Sequence, residues 1–126
     1  MKKIAINTKT APAAVGPYSQ AVRCGDLLFC AGQIPLNPEN GSIVGNDIKT
    51  QTEQVLKNIK AILNSEGLDF INVVKTTVFM TDLSEFSAMN EIYGNYFSSP
   101  YPARSTIQVA ALPKGAKVEI ELIAHY

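Results

Sequence analysis

The sequence predicts an α+β domain in which two helices cover one face of a mixed, six-stranded sheet. The chain has 126 residues, 46% of them hydrophobic, which is enough for one core and too few for two ordinary domains. Two segments repeat apolar residues at helical spacing, and shorter segments have the alternating or continuous apolar patterns of strands. Two helices leave the other face of the sheet uncovered, so we expect a homo-oligomer.

The first three strands are predicted near the N-terminus. Residues 3–7 form a short candidate strand, and residues 19–24 and 27–31 form the arms of a hairpin. Gly25 and Asp26 separate the arms, and a pair with glycine first favours a two-residue turn. The second arm is nearly all apolar, as is typical of a strand covered on both faces.

The two cysteines flank this turn. The hairpin register places Cys24 opposite Leu27 and Cys30 opposite Ala21, so the thiols do not face each other for a disulfide. Two cysteines and one distant histidine cannot complete a four-ligand zinc site. We expect two ordinary buried thiols and no metal.

The first helix is predicted over residues 47–65. Asn46 or Asp47 is a candidate N-cap, and Gly67 is typical of a helix end. Its apolar stripe consists of Ile48, Val55, Leu56, Ile59, Ile62 and Leu63.

A central strand and a second helix follow. Residues 73–80 are rich in β-branched and aromatic side chains, which favour a strand. Asp82 and Glu85 have the spacing of a capping box, and residues 98–102 end the helix. The apolar stripe of this helix consists of Phe86, Met89, Ile92, Tyr93, Tyr96 and Phe97.

The segment 102–125 predicts a final hairpin, which completes the order βββαβαββ. Two alternating stretches are joined by Leu-Pro-Lys-Gly. Arg104 begins the first stretch, and Glu119 lies in the second, so we expect the two side chains to meet near one end of the hairpin. In the second stretch Val118, Ile120, Leu122 and Ala124 point to one face, and Lys117, Glu119, Glu121, Ile123 and His125 to the other.

Composition argues against several classes of protein. Eleven basic residues balance eleven acidic ones, so no charge footprint favours a nucleic-acid or membrane partner. The N-terminus lacks a long apolar run, and we expect a soluble, cytoplasmic protein. The single histidine, His125, lies one residue from the C-terminus, a poor place for a catalytic triad. No glycine-rich phosphate-binding motif supports a nucleotide cofactor.

Four polar side chains are candidates for a site. Arg104 has small or apolar neighbours and could grip a carboxylate, although an ion-paired arginine at a strand start is the alternative. Glu119 could equally be an exposed strand residue. Asn90 falls on the stripe of the second helix, where a buried amide needs a partner. Tyr18 follows Gly-Pro on a loop, although a packed tyrosine is the commoner outcome.

The local contexts of these residues together resemble the RidA (YjgF) family from near residue 10 to the end. The matching stretches are GPYSQA at 16–21, AGQIPLNP at 31–38, VVKTTVFMTDL at 73–83, the Asn90-x-x-Tyr93 helix and YPARSTIQVAALPKGAKVEIELIA at 101–124. The resemblance implies a chorismate-mutase-like subunit in a homotrimer, with ligand clefts between subunits. It also implies hydrolysis of 2-imino acids, such as 2-iminobutanoate and 2-iminopropanoate, to 2-oxo acids and ammonia, without a cofactor.

The resemblance also assigns roles to residues. Arg104 matches the arginine that binds the substrate carboxylate, and Glu119 matches the glutamate that orients water. Tyr18, Gly32 and Asn90 match further site positions. Two positions differ from many bacterial relatives but stay in the expected substrate-binding set: these are Thr106 in place of a cysteine and Ala31 in place of a serine.

Two other functions remain alternatives at this point. The first is a trimeric module that binds small 2-oxo acids for regulation, without turnover. The second is RNA cleavage or inhibition of translation, which the neutral charge and the lone histidine do not favour.

Overall fold

The computed structural model describes residues 2–126 and confirms the predicted order of elements. The α+β fold, with two helices and a six-stranded mixed sheet, is also confirmed. The elements are β1 (Lys3–Ile6), β2 (Ala21–Cys24), β3 (Leu27–Gln33), α1 (Ile48–Ser65), β4 (Val73–Met80), α2 (Phe86–Tyr93), β5 (Ala103–Gln108) and β6 (Val118–His125).

The prediction that the last two strands form a hairpin is wrong. The sheet order is β1-β2-β3-β6-β4-β5, so β4 lies between β5 and β6. Strand β5 is parallel to β4, and all other neighbours are antiparallel. The chain leaves β5 where Val109 N donates to Met80 O (2.8 Å) and returns where Thr81 N donates to Lys117 O (3.2 Å). The loop between β5 and β6 therefore passes over the end of β4, whose backbone is hydrogen-bonded on both edges.

The first helix agrees with the prediction, and the second is shorter. Asp47 caps α1, because its Oδ2 accepts a hydrogen bond from Thr50 N at 3.0 Å. Asp82 instead caps a single 3₁₀ turn, Leu83–Glu85, that precedes α2. Helix α2 ends at Tyr93, although Phe97, at the end of the predicted stripe, is buried in the core.

The core lies between the helices and one face of the sheet, as the alternation in β6 predicts. Val118, Ile120 and Ala124 are fully buried. We call the opposite side of the sheet the open face. There Leu27, Phe29 and Ile107 are 38%, 43% and 46% exposed, and Phe29, Lys75, Thr77, Glu121 and Ile123 line a shallow cavity of about 340 Å³ together with the edges of Cys30 and Leu122. The apolar second arm of the hairpin is thus covered on only one side within one copy.

The cysteines have the predicted register but different environments. Cys24 pairs with Leu27 and Cys30 with Ala21, and both thiols are free. Burial, with a smaller contribution from Glu121, raises the pKa of Cys30 to about 12. Cys24 is only half-buried, because it lies at the turn, so the prediction of two buried thiols is wrong for Cys24. Residues 2–126 contain neither a metal-binding group of acidic, His or Cys side chains nor a helix suited to cross a membrane.

Candidate functional site

A cavity of about 570 Å³ lies beside the start of β6, between the loop before β2, the segment after β3 and the loop before β6. Four of the predicted site residues line it: Tyr18, Ala31, Gly32 and Glu119. We call it the glutamate cavity. Its volume falls in the range of cavities that hold small organic ligands.

Glu119 and Gly32 are in direct contact in this cavity. A β-carbon added to Gly32 would lie 2.7 Å from Glu119 Cδ and 3.0 Å from Cγ, so only glycine leaves room for this carboxylate. The register between β3 and β6 shifts between Cys30 and Gln33, and this bulge re-aims Gly32. Burial raises the pKa of Glu119, and the nearby charge of Glu121 raises it further. A carboxylate with a raised pKa is a stronger base than an ordinary glutamate, which suits it to accept a proton.

The loop that carries Tyr18 is fixed by Gln20, which is only 2% exposed. The Gln20 Oε1 accepts from Thr8 N at 2.7 Å. Its Nε2 lies within hydrogen-bond distance of the carbonyls of Thr8 (3.0 Å), Ala11 (3.3 Å) and Pro12 (2.8 Å). One buried amide therefore provides hydrogen-bond partners for several main-chain groups of this loop. Tyr18 itself is 53% exposed and lines the cavity.

Arg104 lies outside this cavity, beside α2. Its Nη1 donates to Asn90 Oδ1 at 2.7 Å, and its guanidinium stacks 4.7 Å above Tyr93 and 5.4 Å from Phe86. Asn90 is exposed rather than buried on the apolar stripe, and the partner of its amide is Arg104: the buried side of α2 is centred on Met89 and Tyr93, and Asn90 is turned towards β5. The remaining donors of the guanidinium can still bind a planar anion.

Thr106 lies two residues after Arg104 on the same side of β5. Its hydroxyl is buried and has no hydrogen-bond partner among residues 2–126. We call Asn90, Arg104 and Thr106 the arginine cluster.

The expected meeting of Arg104 and Glu119 does not occur within one copy. Arg104 is in register with Thr76, whose hydroxyl contacts Tyr93 of α2 at 2.8 Å. The Arg104 side chain therefore projects from the side of the sheet that the helices cover. Glu119 is in register with Phe79, and its side chain projects from the open face. Strand β4 separates the two strands. One copy thus presents two separate sets of site residues.

Two residues around the cavity were missed from the sequence. Gln20 gave no signal, because a buried glutamine looks like any polar residue at a strand start. Lys114, which also lines the cavity, belongs to the Leu-Pro-Lys-Gly connection that was interpreted only as a turn. Its position just before the strand of Glu119 was the available signal.

Comparison with known proteins confirms the resemblance. The profile of the family described as Endoribonuclease L-PSP matches residues 8–126. The human protein named 2-iminobutanoate/2-iminopropanoate deaminase is 49% identical over 119 residues, which cover 94% of this chain and 87% of that protein. The Arabidopsis thaliana protein named Reactive Intermediate Deaminase A, chloroplastic, is 53% identical over 124 residues, or 98% of this chain and 66% of that longer protein.

A solved structure gives the same result for the fold. The E. coli protein TdcF, solved with bound serine, superposes with a TM-score of 0.91 at 44% identity, covering 98% of each chain. The matches in sequence and in structure both extend over nearly the whole chain. The chain therefore belongs to the Endoribonuclease L-PSP family, the family of the RidA (YjgF) proteins.

Proposed function

We propose that this protein hydrolyses small 2-imino acids, such as 2-iminobutanoate and 2-iminopropanoate, to 2-oxo acids and ammonia. The observation that carries the proposal is the Glu119 carboxylate, which lies against Gly32 in the glutamate cavity and has a raised pKa. The deaminase name of the human relative supports the same activity. The two free thiols suit a reducing compartment, so we place the activity in the cytoplasm.

The chemistry needs only an oriented water and a proton relay. The protonated imine nitrogen makes C2 electrophilic, and water adds to C2 while Glu119 accepts the proton that the water loses. Glu119 then gives this proton to the nitrogen of the adduct. The C2–N bond breaks while the C2 hydroxyl passes its proton back to Glu119, and the products are ammonia and a 2-oxo acid. The proton left on Glu119 is finally taken up by the ammonia, which departs as ammonium. General acid-base help of this kind contributes about a hundredfold or more. Because the imine already reacts with water, positioning is sufficient and no covalent nucleophile is needed.

Arg104 supplies the anchor for the substrate carboxylate in this proposal. A charge-assisted hydrogen bond contributes about 1.5–3 kcal/mol. The stacking of its guanidinium on Tyr93 and the bond to Asn90 fix its plane before substrate binds. Main-chain groups near Gly32 and Thr106 are the expected partners of the remaining polar atoms of the substrate.

We further propose that three copies assemble through the open face, with each complete site built between two subunits. Two observations support this assembly. The exposed Leu27, Phe29 and Ile107 need a cover, and the arginine cluster and the glutamate cavity lie on opposite sides of one sheet. Light scattering should give the mass of a trimer, and a monomer at working concentrations would contradict the proposal.

The activity is tested by mixing the protein with threonine and a threonine dehydratase. We expect faster 2-oxobutanoate formation from the released imine than with the dehydratase alone. Equal rates would contradict the proposal. Saturable 2-oxobutanoate binding without acceleration would instead favour the regulatory binding module.

The family description names a ribonuclease, but the histidine of this chain is remote from the cavity. His125 lies six residues along β6 from Glu119, or about 20 Å at the rise of a strand. The balanced charge adds no support for a nucleic-acid partner. RNA cleavage that survives removal of contaminating nucleases and is lost in Glu119→Gln would overturn this view.

The raised pKa of Glu119 predicts the pH profile of the reaction. Glu119 must be ionised to accept a proton, so kcat/KM should fall with acid at a pH above the usual range of a glutamate. The Glu121→Gln variant removes the smaller of the two causes of the shift, so the acid limb should move to lower pH. An acid limb that is the same in both proteins would contradict the role of Glu121.

A further inference from the structure

Lys114 adopts a backbone conformation that is unfavourable for its residue type. Its φ of 58° and ψ of 23° lie in the left-handed region, and among residues 2–126 it is the one non-glycine residue with positive φ. This conformation costs an L-residue about 1–2 kcal/mol relative to the right-handed one. Glycine would fit without that cost. Strained backbone conformations cluster at functional positions, so the strain at Lys114 favours a functional role for its side chain.

The Lys114 ammonium bridges two walls of the glutamate cavity. Its Nζ donates to Gly41 O at 2.8 Å, and both residues line the cavity. The acceptor is held rigidly, because Gly41 N donates to Asn37 O (2.8 Å) and Asn37 N to Ser42 O (2.8 Å). The charge of the ammonium is thus met only by a neutral carbonyl.

Lys114 is also the only cation that lines this cavity in the described part of the chain. Glu39 and Glu119 line it too, and neither forms an ion pair with Lys114 among residues 2–126. The volume of about 570 Å³ is far larger than a small acid such as 2-iminobutanoate needs. Space therefore remains for a longer substrate side chain next to a positive charge.

We propose that Lys114 selects substrates with an acidic side chain. Its ammonium exchanges the Gly41 carbonyl for the distal carboxylate of a dicarboxylic 2-imino or 2-oxo acid whose C2 lies beside Glu119. This inference rests on the proposed function, because it assigns a substrate class to the same cavity. The exchange breaks and forms only hydrogen bonds. It replaces a neutral acceptor by an ionised one, so that the positive charge of Lys114 meets a negative charge in the new hydrogen bond.

The test is calorimetric binding of two stable product acids, 2-oxoglutarate and 2-oxobutanoate. We compare the protein with Lys114→Met, which has a similar length and no charge, and with Lys114→Arg. Lys60→Met, on the exposed side of α1, is the matched control. The readout is the ratio of the two dissociation constants, since a general loss of structure would change both.

We expect Lys114→Met to weaken the binding of 2-oxoglutarate about tenfold to a hundredfold relative to the binding of 2-oxobutanoate, which is the range of a charge-assisted hydrogen bond. Lys114→Arg should keep most of the preference, and Lys60→Met all of it. A ratio that is unchanged in Lys114→Met, or absence of 2-oxoglutarate binding to the unmodified protein, overturns the proposal.

The threonine assay separates this inference from the proposed function. Acceleration of 2-oxobutanoate formation without 2-oxoglutarate binding leaves the function standing and removes the role of Lys114. Lys114-dependent binding of 2-oxoglutarate without acceleration keeps the role of Lys114 in binding and contradicts the proposed function.

Discussion

Arg104→Ala and Glu119→Gln should each be nearly inactive, and a mixture of the two should recover activity. The expected loss is about tenfold to a hundredfold for Arg104→Ala, which removes the carboxylate anchor, and about a hundredfold or more for Glu119→Gln, which removes the proton acceptor. The recovery follows from the two faces of the sheet: if Arg104 of one copy serves Glu119 of another, mixed trimers contain intact sites. In a cyclic trimer that contains both variants, one site of the three receives both native residues, so about a third of the sites are intact after selection for mixed trimers.

The experiment requires subunit exchange, which co-expression of two tagged variants and selection for both tags provides. Measurement of 2-oxobutanoate formation in the threonine assay gives the recovered fraction. A mixture of Arg104→Ala carrying one tag with Arg104→Ala carrying the other is the control and should stay inactive. If mixed trimers form and remain inactive, the site lies within one copy, and the proposed assembly of the site is wrong.

The separation of Arg104 and Glu119 also shows which features of the fold the sequence predicts and which it does not. Alternation in β6 predicted which residues face the core, because a strand buried on one side imposes a period of two. It could not predict which strand lies next to β6. The hairpin interpretation assumed that sequential strands are neighbours, whereas β4 takes that place by bonding to both β5 and β6. Local pattern fixes the face of a residue, and long-range pairing fixes its neighbours.

The site was predictable to different degrees for the same reason. The matched motifs identified Tyr18, Gly32, Arg104 and Glu119 as candidates, but not their division between two faces. Lys114 and Gln20 act through contacts with distant loops: the ammonium of Lys114 bonds a carbonyl 73 residues away in the chain. A turn sequence such as Leu-Pro-Lys-Gly carries no information about such a partner, so only the folded chain reveals it.

Gly32→Ala should abolish most of the activity while it leaves the fold intact. The three atoms nearest to the added β-carbon all belong to the Glu119 side chain, with Cδ at 2.7 Å and Cγ at 3.0 Å, so that side chain must move. Gly32 does not have positive φ, so alanine is compatible with the backbone, and its lower entropy in the unfolded chain favours the folded state slightly. We expect about a hundredfold or greater loss of kcat/KM, from displacement of the proton acceptor, and a urea midpoint close to that of the unmodified protein.

A double-mutant cycle distinguishes this cause from a general disturbance of the cavity. If Gly32→Ala acts by displacing the carboxylate, adding it to Glu119→Gln should cost little more, because the function of that carboxylate is already lost. If the two losses multiply instead, alanine at position 32 harms the site by another route, such as blocking substrate. Residues in direct contact show such coupling, and distant residues do not. The result therefore tests whether the close approach of Gly32 serves the placement of Glu119.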